Sequence, residues 1–155
     1  MAMPLLIAIL AATAPLLAMA TERWGGLNPC LLCLWQRWPY WVAAVLALLA
    51  FLLPRRLMLA LAGLAILTSG AFAAVHLGVE AKWWPSPLPG CMAPSASAGQ
   101  SIEDMMANLA SRPAKPCDEP TYLVPGLPVS MAAMNLLYAL ALGGFALSRA
   151  ARGKG

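Results

Sequence analysis

Charge is scarce in this sequence. Asp, Glu, Lys and Arg make up 10% of its 155 residues, against 61% hydrophobic. A soluble domain of this size carries far more charge, so that class is excluded. Basic residues form no clustered face, so nothing supports nucleic-acid binding. No internal repeat or low-complexity tract is present, which leaves one domain over residues 1–155. A CxxCH haem-attachment motif is absent, because Leu34 stands where its histidine would be. Cysteines are few: Cys30, Cys33, Cys91 and Cys117.

Long apolar stretches are what the chain has in quantity. Four nearly uncharged runs predict helices at about 1–20, 30–53, 57–79 and 127–147. A bilayer core takes ~20 apolar residues per helix. The expected fold is therefore an all-α membrane protein, a four-transmembrane-helix bundle. A short CxxC loop lies at about 21–29 and a long loop at about 80–126. Ala18-Met19-Ala20 looks like a signal-peptidase site. The run before it has no basic residue and is long enough to span, which favours a membrane helix.

Charge placement predicts orientation. Arg55, Arg56, Arg149, Arg152 and Lys154 lie on one side with no acidic residue. On the other side, Arg23, Arg37, Lys82, Arg112 and Lys115 face Glu22, Glu80, Glu103, Asp104, Asp118 and Glu119. The positive-inside rule puts both termini in the cytoplasm and all four cysteines outside, where disulfides persist.

Local signals refine the helices. Asn28-Pro29 reads as a helix start, with Asn as cap and Pro at the first helical position. Pro39 implies either a kinked second helix or a short lead-in helix before it. Gly63, Thr68, Ser69 and Gly70 permit close helix packing in lipid. His76 and Glu80, four apart, share a helix face. In the long loop, Ser101-Ile102-Glu103-Asp104 reads as a capping box with Asp for the usual Glu or Gln. Ile102, Met105, Met106 and Leu109 follow at helical spacing, and Arg112-Pro113 ends the segment. This predicts a short amphipathic helix that lies on the bilayer surface or packs on the helix ends.

The chemistry centres on Cys30-Leu31-Leu32-Cys33. A zinc site would need Cys91 and Cys117 too, and their spacing is not that of a CxxC pair. A purely structural disulfide across two residues constrains little entropy. The remaining reading is redox, with electrons exchanged with something dissolved in lipid. Helical spacing places Cys30, Cys33 and Arg37 on one stripe. A helix N-terminus and a guanidinium favour thiolate, the species that attacks a disulfide or a quinone ring. Arg37 would also donate hydrogen bonds to a quinone oxygen; the plainer role is an arginine snorkelling to headgroups. A disulfide between Cys91 and Cys117 would stiffen the Pro-rich loop by roughly 3 kcal/mol. In a flexible loop it would be accessible to a partner thiol. Asp118 and Glu119 disfavour a persistent Cys117 thiolate.

These features together resemble the disulfide bond formation protein B (DsbB) family of bacterial inner-membrane thiol oxidases. The resemblance rests on four helices, Cys30-x-x-Cys33-x-x-x-Arg37 before the second, and Trp84-Pro85-Ser86-Pro87 before Cys91. Cys117-Asp118-Glu119-Pro120, Gly126, Ser130-Met131-Ala132 and Asn135 extend it. It implies that a Cys91–Cys117 disulfide oxidises a periplasmic thioredoxin-fold dithiol protein of the DsbA type. Cys91 would form the mixed disulfide, and Cys117 would exchange with Cys30. Cys33 would remain as thiolate against a membrane quinone, ubiquinone or menaquinone, with Arg37 nearby and no metal. Some members carry a histidine near the outer end of the third helix. His76 is displaced from it by about two positions, which leaves quinone contact or pairing with Glu80 open. Two alternatives differ in class. One is similar to the vitamin K epoxide reductase family, where the CxxC lies in a late helix. The other is a disulfide-stapled membrane scaffold without catalysis.

Overall fold

A computed structural model of the chain describes residues 2–88, 91, 115–123 and 126–152. Among the described residues five helices carry the fold: α1 (Ala2–Gly25), α2 (Leu31–Trp35), α3 (Trp38–Leu49), α4 (Arg55–Glu80) and α5 (Met131–Arg152). Taking α2 and α3 as one span over Leu31–Leu49, four segments are long and apolar enough to cross a membrane. Among the described residues there is one isolated bridge, Tyr122 to Ser130, and no strand. The predicted amphipathic helix after Ser101 lies outside the described residues.

The helix ends differ from the ends of the apolar runs. α1 continues past Ala20 to Gly25, where Gly26 turns the chain at φ +65°. α5 starts at Met131, because Ser130 caps it by accepting the Ala133 N–H at 3.3 Å. Asn28 is not the cap of the second segment. Cys30 is: its extended backbone precedes α2, and its sulfur accepts the Cys33 N–H at 3.3 Å. A turn at Gln36-Arg37 then separates α2 from α3. Pro39 falls in the first turn of α3, where its missing N–H costs nothing. The second span therefore has a short lead-in helix.

Small residues bring the helices together. Ala43 and Ala47 of α3, Ala62 and Ile66 of α4, and Ala139 and Ala146 of α5 are buried in one core with Ile7 and Ala11 of α1. At the α4–α5 crossing a Cβ on Gly63 would meet the Gly143 carbonyl oxygen at 3.1 Å, so the two backbones are nearly in contact. Leu17, Val45, Leu64 and Leu137 point outward, as lipid-facing residues do. Arg56 binds the Ala150 and Ala151 carbonyls at 3.2 and 3.3 Å, so it closes the end of α5. That end holds Arg55, Arg56, Arg149 and Arg152 with no acidic residue among the described ones; the opposite end holds the cysteines and the exposed Trp24, Trp38 and Trp83.

Candidate functional site

The segment after α4 returns to the bundle. Lys82 takes φ +58°, the Trp83 N–H binds the Gly78 carbonyl at 2.9 Å, and the Trp84 indole donates to the Val75 carbonyl at 3.2 Å. The Trp84 ring lies over Gly78, in the space a side chain there would need. This fold-back gives the Trp84–Pro87 motif a physical role. It turns the chain so that Leu88 and Cys91 reach the thiols of α2.

Cys91 and Cys117 form a disulfide with Cα atoms 4.9 Å apart, and the Cys117 N–H binds the Cys91 carbonyl at 3.0 Å. Accessibility was expected for this pair, but both residues are buried, at 2% and 0% exposure. They pack with Cys30, Leu32 and Val79, and with half-buried Leu31, Cys33 and Leu88. The apolar neighbours on α2 and α4 draw the disulfide inward. All four cysteines thus share one cluster.

Cys30 and Cys33 are free thiols with sulfur atoms 2.8 Å apart. The hydrogen bond from the Cys33 thiol, aided by backbone groups and opposed by burial, holds the Cys30 thiol below its ordinary range. The expected single stripe divides here, because Cys30 is the cap and not a residue inside the helix. Cys30 faces the disulfide and His76, whereas Cys33 lines a cavity of about 280 Å³ with Arg37. The cavity lies between α1, α3 and α5, and Glu22, Gln36, Tyr40 and Asn135 also line it.

Arg37 is paired with Glu22 of α1 through both terminal nitrogens, one at 3.1 Å. Its buried Nε has no hydrogen-bond partner among the described residues.

His76 does not line that cavity. It is buried on the other side of the thiols, with Nε2 3.5 Å from Cys30 Sγ and 3.7 Å from Glu80 Oε1. The sulfur atoms of Cys30 and Cys33 and a ring nitrogen of His76 fall within 4.8 Å of one another. Gln36 Nε2 lies 2.9 Å from His76 Nδ1; Gln36 in turn accepts from Asn135 and Ser69, and Asn135 accepts from the Tyr40 hydroxyl. Sequence reasoning did not single out Glu22, Gln36, Ser69 or Tyr40 as site residues. The available signal was a polar side chain inside an apolar run.

Among curated proteins and solved structures, none matches this chain. The family described as Disulfide bond formation protein DsbB matches residues 1–148. Four membrane-crossing segments and a buried cluster of four cysteines accord with that match. The chain belongs to the DsbB family, as a multi-pass membrane oxidoreductase that generates disulfides.

Proposed function

We propose that the chain reoxidises a periplasmic thioredoxin-fold dithiol protein of the DsbA type and passes the electrons to a membrane quinone. One observation carries this reading. Cys30 packs in one buried cluster with the Cys91–Cys117 disulfide, while its partner Cys33 lines a cavity between membrane-crossing helices together with Arg37. The pair bridges two compartments of chemistry.

The exchanges run as follows. A thiolate of the partner attacks Cys91, and Cys117 leaves as thiolate. The partner's second thiolate then forms the partner's own disulfide and frees Cys91. Cys117 attacks Cys30 of an oxidised Cys30–Cys33 pair, and Cys33 leaves as thiolate. Cys91 attacks Cys117, restoring that disulfide and releasing Cys30. The pairing seen here, Cys91 bonded to Cys117 with Cys30 and Cys33 free, is the state after these steps.

The cavity fits a quinone head: it is largely apolar, and Arg37 and Cys33 both line it. A bound quinone would accept the two electrons and two protons that a dithiol gives up. Arg37 would orient it and stabilise negative charge near Cys33. Energetics favour such an acceptor. A DsbA-type protein is a strong oxidant at about −120 mV, so an ordinary protein disulfide would not regenerate it.

Sidedness follows from charge. Arg55, Arg56, Arg149 and Arg152 gather at the end opposite the cysteines, which supports cytoplasmic termini and periplasmic cysteines in a bacterial inner membrane. The deciding experiment is oxidation of a reduced thioredoxin-fold partner by purified protein with and without added quinone, followed by thiol titration. Turnover that depends on quinone is expected. A scaffold would show no quinone-dependent change.

A further inference from the structure

His76 is the sole histidine of the chain. What its ring does is decided by hydrogen bonds that begin at Ser69 of α4. The Ser69 hydroxyl donates to the Gln36 backbone carbonyl at 2.6 Å. A carbonyl only accepts, so the Ser69 oxygen is left to accept from Asn135 at 3.2 Å. This fixes the Asn135 amide, with Nδ2 inward and Oδ1 accepting from the Tyr40 hydroxyl at 2.8 Å. Asn135 Nδ2 also donates to Gln36 Oε1 at 2.7 Å, which fixes the second amide. Gln36 Nε2 must then donate to His76 Nδ1 at 2.9 Å. With Nδ1 accepting, the proton of a neutral ring sits on Nε2, the atom 3.5 Å from Cys30 Sγ.

We propose that this one-way chain makes His76 a fixed hydrogen-bond donor to Cys30, serving the exchange thiol and not the cavity. The idea deepens the proposed exchange and rests on it for its purpose. When Cys91 attacks Cys117, the Cys91–Cys117 bond forms and the Cys117–Cys30 bond breaks. The electron pair stays on Cys30 Sγ. The Nε2 proton stays on the ring, and its hydrogen bond becomes charge-assisted and stronger. Gln36 and Asn135 are positioning residues in this scheme.

Of the two acceptors near Nε2, Cys30 Sγ at 3.5 Å is within hydrogen-bonding reach for sulfur, and Glu80 Oε1 at 3.7 Å lies beyond that reach for oxygen. Glu80 is the acidic side chain within ion-pair reach of the ring among the described residues, at 3.7 Å. Its other oxygen is held by Ser130 of the α5 cap at 2.6 Å. Arg37 is engaged by Glu22 on the cavity side, and Asp118 and Glu119 beside Cys117 are exposed. Cys33 is the other titrating neighbour, within the same cluster.

The test needs neither quinone nor partner, so its failure is separate from failure of the proposed function. Full-length reduced protein carrying Cys91→Ser and Cys117→Ser is placed in nanodiscs. Alkylation of Cys30 by iodoacetamide is followed against pH, with the site read by mass spectrometry. His76→Leu should move the Cys30 profile up by about one pH unit, roughly tenfold slower labelling below it. His76→Gln puts an amide nitrogen near the place of Nε2 and should recover most of the shift. Gln36→Leu keeps the ring but releases its tautomer, and should give a smaller shift the same way. An unchanged profile in His76→Leu at native helicity overturns the proposal. So does His76→Gln behaving like His76→Leu. If His76→Leu fails to fold, an unchanged profile in Gln36→Leu overturns it instead.

Discussion

Arg37 and Glu22 answer each other across the cavity, and this alters what loss of the arginine should cost. By itself, a guanidinium at membrane depth is disfavoured unless it snorkels or is paired. Here its removal strands a carboxylate. Arg37→Ala is therefore expected to lower stability by about 1–3 kcal/mol and to weaken quinone coupling. Adding Glu22→Gln should restore the melting temperature but not the apparent quinone affinity. Thermal melts beside steady-state turnover at several quinone concentrations check both halves. Recovery of affinity in the double variant would remove Arg37 from the site. Cys33→Ser should abolish quinone reduction and leave the Cys91–Cys117 disulfide able to form, read by quinol absorbance and thiol titration. The cysteines and Arg37 were legible in the sequence because their spacing is local. Glu22 and Gln36 were not, because their meaning lies in partners elsewhere in the fold. Gln36 gains its role from Asn135 and His76, and no pattern within its own helix announces either.

At the scale of elements, apolar runs marked the spans but misjudged their ends. Backbone hydrogen bonding continues through Glu22, Arg23 and Glu80, because a helix leaving the bilayer has no reason to stop at the last apolar residue. The start of α5 was set by a serine cap and not by hydropathy. Pro39 left two alternatives open, since a proline is equally at home in a kink and in a first turn. Its place in the first turn of α3 has a measurable consequence. Pro39→Ala should change stability by less than about 1 kcal/mol, whereas relief of an interior kink would gain about 3 kcal/mol. A thermal melt separates the two. The α4–α5 crossing gives a sharper contrast. A Cβ on Gly143 would meet Leu67 at 2.8 Å and the Gly63 carbonyl at 3.2 Å, while nothing lies within 4 Å of one on Gly144. Gly143→Leu should cost at least about 1–3 kcal/mol by overpacking. Gly144→Leu should be nearly neutral in the same denaturation series.

The two ends of the molecule differ: arginines without acidic neighbours gather at one, and thiols, exposed tryptophans and charges of both signs at the other. Four spans and their order could be read from composition, but the inward seating of the Cys91–Cys117 disulfide could not. It depends on Trp84 folding over Gly78 and on apolar neighbours from α2 and α4, contacts that no local signal encodes. In Cys117→Ser, Cys91 should attack the disulfide of the oxidised thioredoxin-fold partner and stay bonded to it, because the neighbouring thiol that would displace the partner is missing. Diagonal gels showing adducts through Cys30 alone would contradict this. Glutathione in the native membrane should reduce the Cys91–Cys117 pair much more slowly than the folded partner does, as mass-resolved alkylation after timed quenching would report. The difference is one of insulation. Small thiols dissolved outside are also electron sources, and a bare disulfide on the surface would let them drain the quinone pool to no purpose. A contact sheathed in the protein cannot be short-circuited in that way.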